Sequence, residues 1–120
     1  MDLLEIFTDS NELIRYPAGT VIITEGQEGS HMYVVIEGEA DISLKGTVIA
    51  KATRGDIVGE MALINSNLRS ATVTATSDCT VAVIDQASFQ SMLRHVPDFS
   101  MHVMNVLADR LKLAYEMIAE

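Results

Sequence analysis

Tryptophan is absent, cysteine occurs once, proline occurs twice, and 8 lysines and arginines face 17 aspartates and glutamates. Each scarcity excludes something. A single cysteine, Cys79, cannot form an intrachain disulfide. Its apolar neighbours Val81 and Val83 place it on a strand, as an inert thiol near or in the core. A formal charge of −9 repels phosphate backbones, which argues against direct nucleic-acid binding but leaves room for a small anion in a local pocket. No run of about 18 apolar residues is present, so no membrane-spanning helix is expected. The opening MDLLEIFTDS is acidic and lacks the basic start of a signal peptide. The expected location is the cytoplasm, with no membrane partner. His31, His95 and His102 form neither an HxH nor an HExxH pattern, so no metal site is expected. No Ser-His-Asp or Cys-His arrangement stands out, so no catalytic residue is assigned and the chain is not expected to be an enzyme.

What is present suits one folded domain over residues 1–120, with 48% hydrophobic and 21% charged residues. Residues 2–7 read as a short helix with Asp2 at its positive end, and YPAGT at 16–20 reads as a turn. From about 17 to 84 the chain reads as β-structure. TVIIT is β-branched; Ala40, Ile42 and Leu44 alternate with Asp41, Ser43 and Lys45; Ala71, Val73 and Ala75 alternate with threonines. Turn signals at Lys45-Gly46, at 53–56 and at Ser77-Asp78 separate short strands, which predicts a sandwich or barrel. The period then changes. Asp85 is placed to cap a helix over 86–94, and Pro97 opens a second one. His102, Asn105, Asp109, Lys112, Glu116 and Glu120 mark its polar face, but its apolar arc is wider than one docking surface needs. Either the domain cradles the helix deeply or a second helix meets it, and a homodimer through 98–119 is one expectation.

The segment GEMALINSNLRSATV, residues 59 to 73, concentrates the chemistry. A short helical turn after Gly59 presents unpaired N–H groups to an anion. Arg69 can fork two donors onto a phosphate, Ser70 adds a hydroxyl, and the acceptor-only Glu60 suits a sugar hydroxyl. One loop therefore offers two clamps that fit a nucleotide. The competing reading is a Glu60–Arg69 salt bridge that pins the loop.

The same segment resembles the phosphate-binding cassette of the cyclic nucleotide-binding domain family. EGQEGSHMYVVIEGEADI and RGDIVGE, upstream, are similar to that family's glycine-bounded strand and its approach to the cassette. The resemblance spans about residues 10 to 118. It implies a double-sheet jelly roll of about eight strands, mainly β with flanking C-terminal helices. It implies Glu60 on the ribose 2′-hydroxyl, Arg69 on the cyclic phosphate, and backbone contacts from Gly59, Met61 and Ala62. Ser70 and Ala71 fall on the phosphate side. Ile42, Ile49, Ala52 and Val73 fall where they wall the sugar and base, although plain core is the other reading of each. Ala114, Tyr115 or Ile118 comes within range to cap the base; a packed tyrosine without a ligand role is the alternative. Val58 and Leu68 depart from the family's frequent aromatic and proline. Ser70 favours cAMP over cGMP.

The resemblance implies a non-catalytic, allosteric sensor with cAMP or cGMP as ligand and no other cofactor. Its C-terminal helix would pass the signal to an unidentified effector protein or domain. The alternative function is a ligand-free interaction or dimerisation module of the same fold. A cupin-type enzyme lacks the clustered His and carboxylate ligands it would need.

Overall fold

The computed structural model describes residues 3–64 and 68–119. In chain order its elements are α1 (Leu3–Ser10), β1 (Glu12–Tyr16), β2 (Val21–Ile23), β3 (His31–Glu37), β4 (Ala40–Leu44), β5 (Thr47–Ala52), β6 (Ile57–Val58), α2 (Met61–Ile64), β7 (Thr72–Ala75), β8 (Cys79–Asp85), α3 (Gln86–His95) and α4 (Pro97–Ala119). The strands make two four-stranded sheets, ordered β1-β8-β3-β6 and β2-β7-β4-β5, with antiparallel pairing throughout. This is the mainly β double-sheet architecture expected, with the C-terminal helices following it.

The two sheets differ in what covers them, and the sequence pattern follows. Val35, Val58, Cys79 and Val81 of the first sheet face Ile23, Ala40, Ile42, Ala52, Val73 and Ala75 of the second. On the first sheet's other face Met32, Val34, Ile57, Ala82 and Ile84 pack under the helices with Phe7, Phe89, Phe99, Val103 and Val106. β3 and β8 are buried on both faces, so they read as nearly continuous apolar runs. β4 and β7 are covered on one face and alternate. Phe99 anchors the helical layer, meeting Phe7 and Phe89 edge to face at centroid distances of 5.7 and 5.8 Å. Cys79 lies between the sheets, and burial pushes its thiol pKa up, away from reactivity.

β1 lies outside the β-region read from the sequence, which begins at 17. It pairs with β8 from Glu12↔Val83 to Tyr16↔Cys79. Ile14 and Tyr16 pack against the core, but Leu13 is exposed beside Arg15, and this outward leucine hides the alternation. The first helix extends to Ser10; Asp2 lies outside the described residues.

Asp85 does cap α3, accepting from the Ser88 N–H at 2.8 Å. α4 then crosses the first sheet. Its buried residues Phe99, Val103 and Val106 belong to its first half. His102 joins this inner side, its Nε2 2.6 Å from the carbonyl of Gly55. From Leu111 onward every described residue of α4 is exposed, so the domain buries the first half of the helix far more deeply than the second. Among the described residues no helix is long and apolar enough to cross a membrane.

Candidate ligand site

A cavity of about 460 Å³ lies between the second sheet, residues 59–62 and 69–71, and the middle of α4. Its volume is in the range of small-ligand pockets. Ile42, Ile49 and Val73 give it an apolar wall from β4, β5 and β7, and Gly59, Glu60, Met61, Ala62, Arg69, Ser70 and Ala71 line its other side. Ile23, Leu44, Val58, Leu107, Arg110 and Leu111 complete the lining. Ala52 belongs to the inter-sheet core instead. Tyr115 is also outside the lining: it is 62% exposed, on a side of α4 that points away. Ala114 and Ile118 line a smaller apolar cavity of about 280 Å³ next to the first, between β4–β5 and the end of α4. The helix residues that do reach the main cavity, Leu107, Arg110 and Leu111, lie one to two turns nearer the start of α4.

Local backbone geometry places Glu60. Gly59 has φ +79°, a left-handed conformation that turns the chain out of β6, and the Glu60 carbonyl then accepts the Leu63 N–H at 3.0 Å to start α2. The Glu60 side chain goes inward and is 4% exposed. A carboxylate so buried requires a cation or several donors. Arg110 supplies them: its Nη1 donates to Glu60 Oε1 at 2.7 Å and its Nη2 donates to the Ile57 carbonyl. Arg110 was not among the residues singled out from the sequence. The available signal was charge arithmetic, since a buried glutamate in a chain with only 8 lysines and arginines must claim one of them. Sequence alone gives no sign that Glu60 is buried.

Arg69 lines the same cavity. Its backbone is held by the loop between β2 and β3: the Arg69 N–H donates to the Gln27 carbonyl at 2.8 Å, and the Gly26 N–H donates to the Arg69 carbonyl at 2.9 Å. Leu68 forms an isolated bridge with Glu28 in the same loop. This pairing fixes the direction of the chain into Arg69 without a proline at 68. The guanidinium donates from Nη1 to the Gly59 carbonyl at 3.1 Å and lies over the Tyr33 ring, 5.8 Å from its centroid. Thus Glu60 pairs with Arg110, Arg69 bonds the backbone, and the two cassette side chains face one cavity without bonding each other.

Residues 13–96 match the family model for the cyclic nucleotide-binding domain. The chain belongs to this family. The cAMP-dependent protein kinase regulatory subunit of Eremothecium gossypii is 42% identical over 86 residues, covering 71% of this chain and 19% of that protein. The Pycsar effector protein XpPycTIR of Xanthomonas perforans is 33% identical over 111 residues, covering 92% of this chain and 37% of that protein. Among solved structures, cAMP-bound PfPKA-R superposes with a TM-score of 0.79 at 32% identity, covering 98% of this chain and 41% of that one. The chain therefore spans well under half the length of these three relatives. The family model ends at residue 96, before α4 begins; the superposition on PfPKA-R takes in nearly the whole chain.

Proposed function

We propose that this cyclic nucleotide-binding domain is a non-catalytic cytoplasmic sensor that prefers cAMP to cGMP and links ligand binding to the position of α4. The observation that carries the reading is the open cavity between Glu60 and Arg69. Arg69 takes the cyclic phosphate with charge-assisted hydrogen bonds, helped by Ser70 and Ala71. Glu60 accepts from the ribose 2′-hydroxyl. Gly59, Met61 and Ala62 contribute backbone contacts, and Ile42, Ile49 and Val73 wall the sugar and base. A serine at 70 supports cAMP as the preferred ligand.

Arg110 supports the coupling. It ties α4 to both Glu60 and the Ile57 carbonyl, so a sugar hydroxyl arriving at Glu60 shares that carboxylate with the helix. Ligand affinity and helix position then influence each other reciprocally. The output passes to an effector domain or protein reached through α4.

The exposed side of α4 supports a homodimer. Met101, Met104, Ala108, Leu111, Tyr115 and Ile118 follow one another at alternating steps of three and four, and all are exposed. That spacing is a coiled-coil seam, turned away from the buried Phe99, Val103 and Val106. Leu111 belongs both to this seam and to the cavity lining, so dimer contact and ligand share a residue.

A thermal-shift experiment tests the ligand. At 100 times its dissociation constant, a ligand that binds only the folded state adds about 2.7 kcal/mol. The melting midpoint rises most with cAMP at a given concentration, less with cGMP, and not with 5′-AMP. An unchanged midpoint with every cyclic nucleotide points instead to a ligand-free interaction module.

A further inference from the structure

α2 is a single turn, Met61–Ile64, too short to hold its own geometry, so its ends must be held from outside. At its start the Gly59 carbonyl accepts the Ala62 N–H at 3.3 Å and the Glu60 carbonyl accepts the Leu63 N–H at 3.0 Å. At its end the Leu63 side chain is buried in the core under the helices. The Leu63 carbonyl accepts a second attachment, a hydrogen bond from Gln86 Nε2 at 3.2 Å. Gln86 is the first residue of α3, 23 residues further along the chain and directly after the Asp85 cap. An exposed glutamine at a helix start ordinarily meets water; this one reaches to another element. Only the nitrogen end of a carboxamide can donate to a carbonyl, so the contact fixes which way the amide faces.

We propose that Gln86 is a positioning residue for the ligand site: by holding the far end of α2 it sets where Met61 and Ala62, at the near end, present their backbone to the ligand. The inference rests on the reading of residues 59–62 as ligand contacts. A four-residue helix is about 6 Å long, so a tilt at Leu63 reaches Met61 almost undiminished. The buried Leu63 side chain keeps α2 from sliding, but one side-chain anchor leaves the turn able to rotate about it. The bond to the Leu63 carbonyl removes that rotation. Arg110 holds Glu60, just ahead of α2, so the segment is fixed from α4 at one end and from α3 at the other. Gln86 is outside the cavity lining, so a change there acts on the ligand only through α2. Without the bond, α2 samples rotated states, and apparent affinity falls with the fraction of molecules that remain competent.

The test is calorimetric titration of cAMP into variants at 86, with the melting midpoint of each ligand-free protein measured alongside. Gln86→Met keeps the length of the side chain and removes the donor. It is expected to raise the Kd by about threefold to tenfold, the worth of one neutral hydrogen bond. Gln86→Lys reaches the same carbonyl with a donor and is expected to return the Kd close to the wild-type value. Gln86→Met/Gln90→Lys adds the same charge at an exposed position one turn further along α3, and is expected to stay as weak as Gln86→Met. Gln86→Ala takes the place of Gln86→Met if that variant does not fold. An unchanged Kd in Gln86→Met, with or without a lower melting midpoint, would show that the contact supports only the fold and would overturn the proposal. Equal weakening by Met and Lys at 86, or recovery through Gln90→Lys, would overturn it too, because the donor would then not be what matters. A wild type that binds no cyclic nucleotide, or an Arg69→Ala variant that binds normally, would instead overturn the underlying reading of the site.

Discussion

Arg110 Nη1 lies 2.7 Å from Glu60 Oε1 across 50 residues of chain, joining the middle of α4 to the most buried carboxylate among the described residues. The pair occupies the boundary between the cavity and the helix, where an ion pair does two things. It neutralises a charge that could not otherwise stay buried, and it ties the Glu60 side chain to α4.

Removing the cation alone strands the anion. Arg110→Met is expected to destabilise the domain by about 3 kcal/mol, the lower end of the cost of breaking a buried pair, because the Arg110 side chain keeps 24% of its exposure. The double variant Glu60→Gln/Arg110→Met leaves no unpaired charge and is expected to be more stable than Arg110→Met. Urea denaturation of the four proteins in the cycle measures both; a double-variant loss equal to the sum of the two single losses would mean that the pair is not energetically coupled.

Arg69→Ala is expected to lose about 2–5 kcal/mol of cyclic nucleotide binding, as expected for truncating one partner of a buried charged contact. Arg69→Lys should recover little, since an ammonium cannot form the planar fork. Calorimetric Kd values check this, and wild-type affinity in either variant contradicts the clamp.

The seam on α4 predicts a concentration-dependent dimer. Sedimentation at several concentrations should show one, and Ile118→Glu, at an 80% exposed position, should yield a monomer with unchanged thermal stability in dilute solution. A wild-type monomer at every concentration removes the seam's proposed role.

Asp85 gives a pH dependence with a definite sign. The Ser88 backbone N–H, then the Ser88 hydroxyl, hold its carboxyl below the usual range, with His31 adding to the effect from the neighbouring strand. A depressed folded-state pKa contributes stability that is present above the ordinary aspartate pKa and is lost as pH falls through the lowered value. Thermal midpoints should therefore fall on acidification through that window. Asp85→Ser keeps a capping oxygen but has no charge to titrate, so its midpoint should fall less steeply. Parallel curves for the two proteins would show that the cap does not contribute to the acid transition.

Much of the molecule could be read before its coordinates were known, for local reasons. The alternation at Ala40, Ile42 and Leu44 marks a strand covered on one face, and the cap at Asp85 and the start at Pro97 are choices made by a few neighbouring atoms. Gly59, Glu60, Met61, Ala62, Arg69, Ser70 and Ala71 were legible as a group because they fall within one short stretch of sequence, and they do line one cavity. β1 was not legible, because exposed Leu13 conceals its period and its partner β8 is far away in sequence. Tyr115, read as a base cap or a packed tyrosine, is exposed and outside the cavity lining, because the rotation of α4 is set by what Phe99, Val103 and Val106 pack against.

The amino-acid sequence by itself determined which segments become strands and helices and which side chains are proposed for phosphate and sugar chemistry, because backbone preference and functional groups belong to each residue. Tertiary structure alone decided that Glu60 answers to Arg110 and not to Arg69, and that the Arg69 guanidinium lies between Gly29, Gly59 and Tyr33. Burial, charge pairing and steric room exist only between residues brought together, and no single stretch of chain contains them.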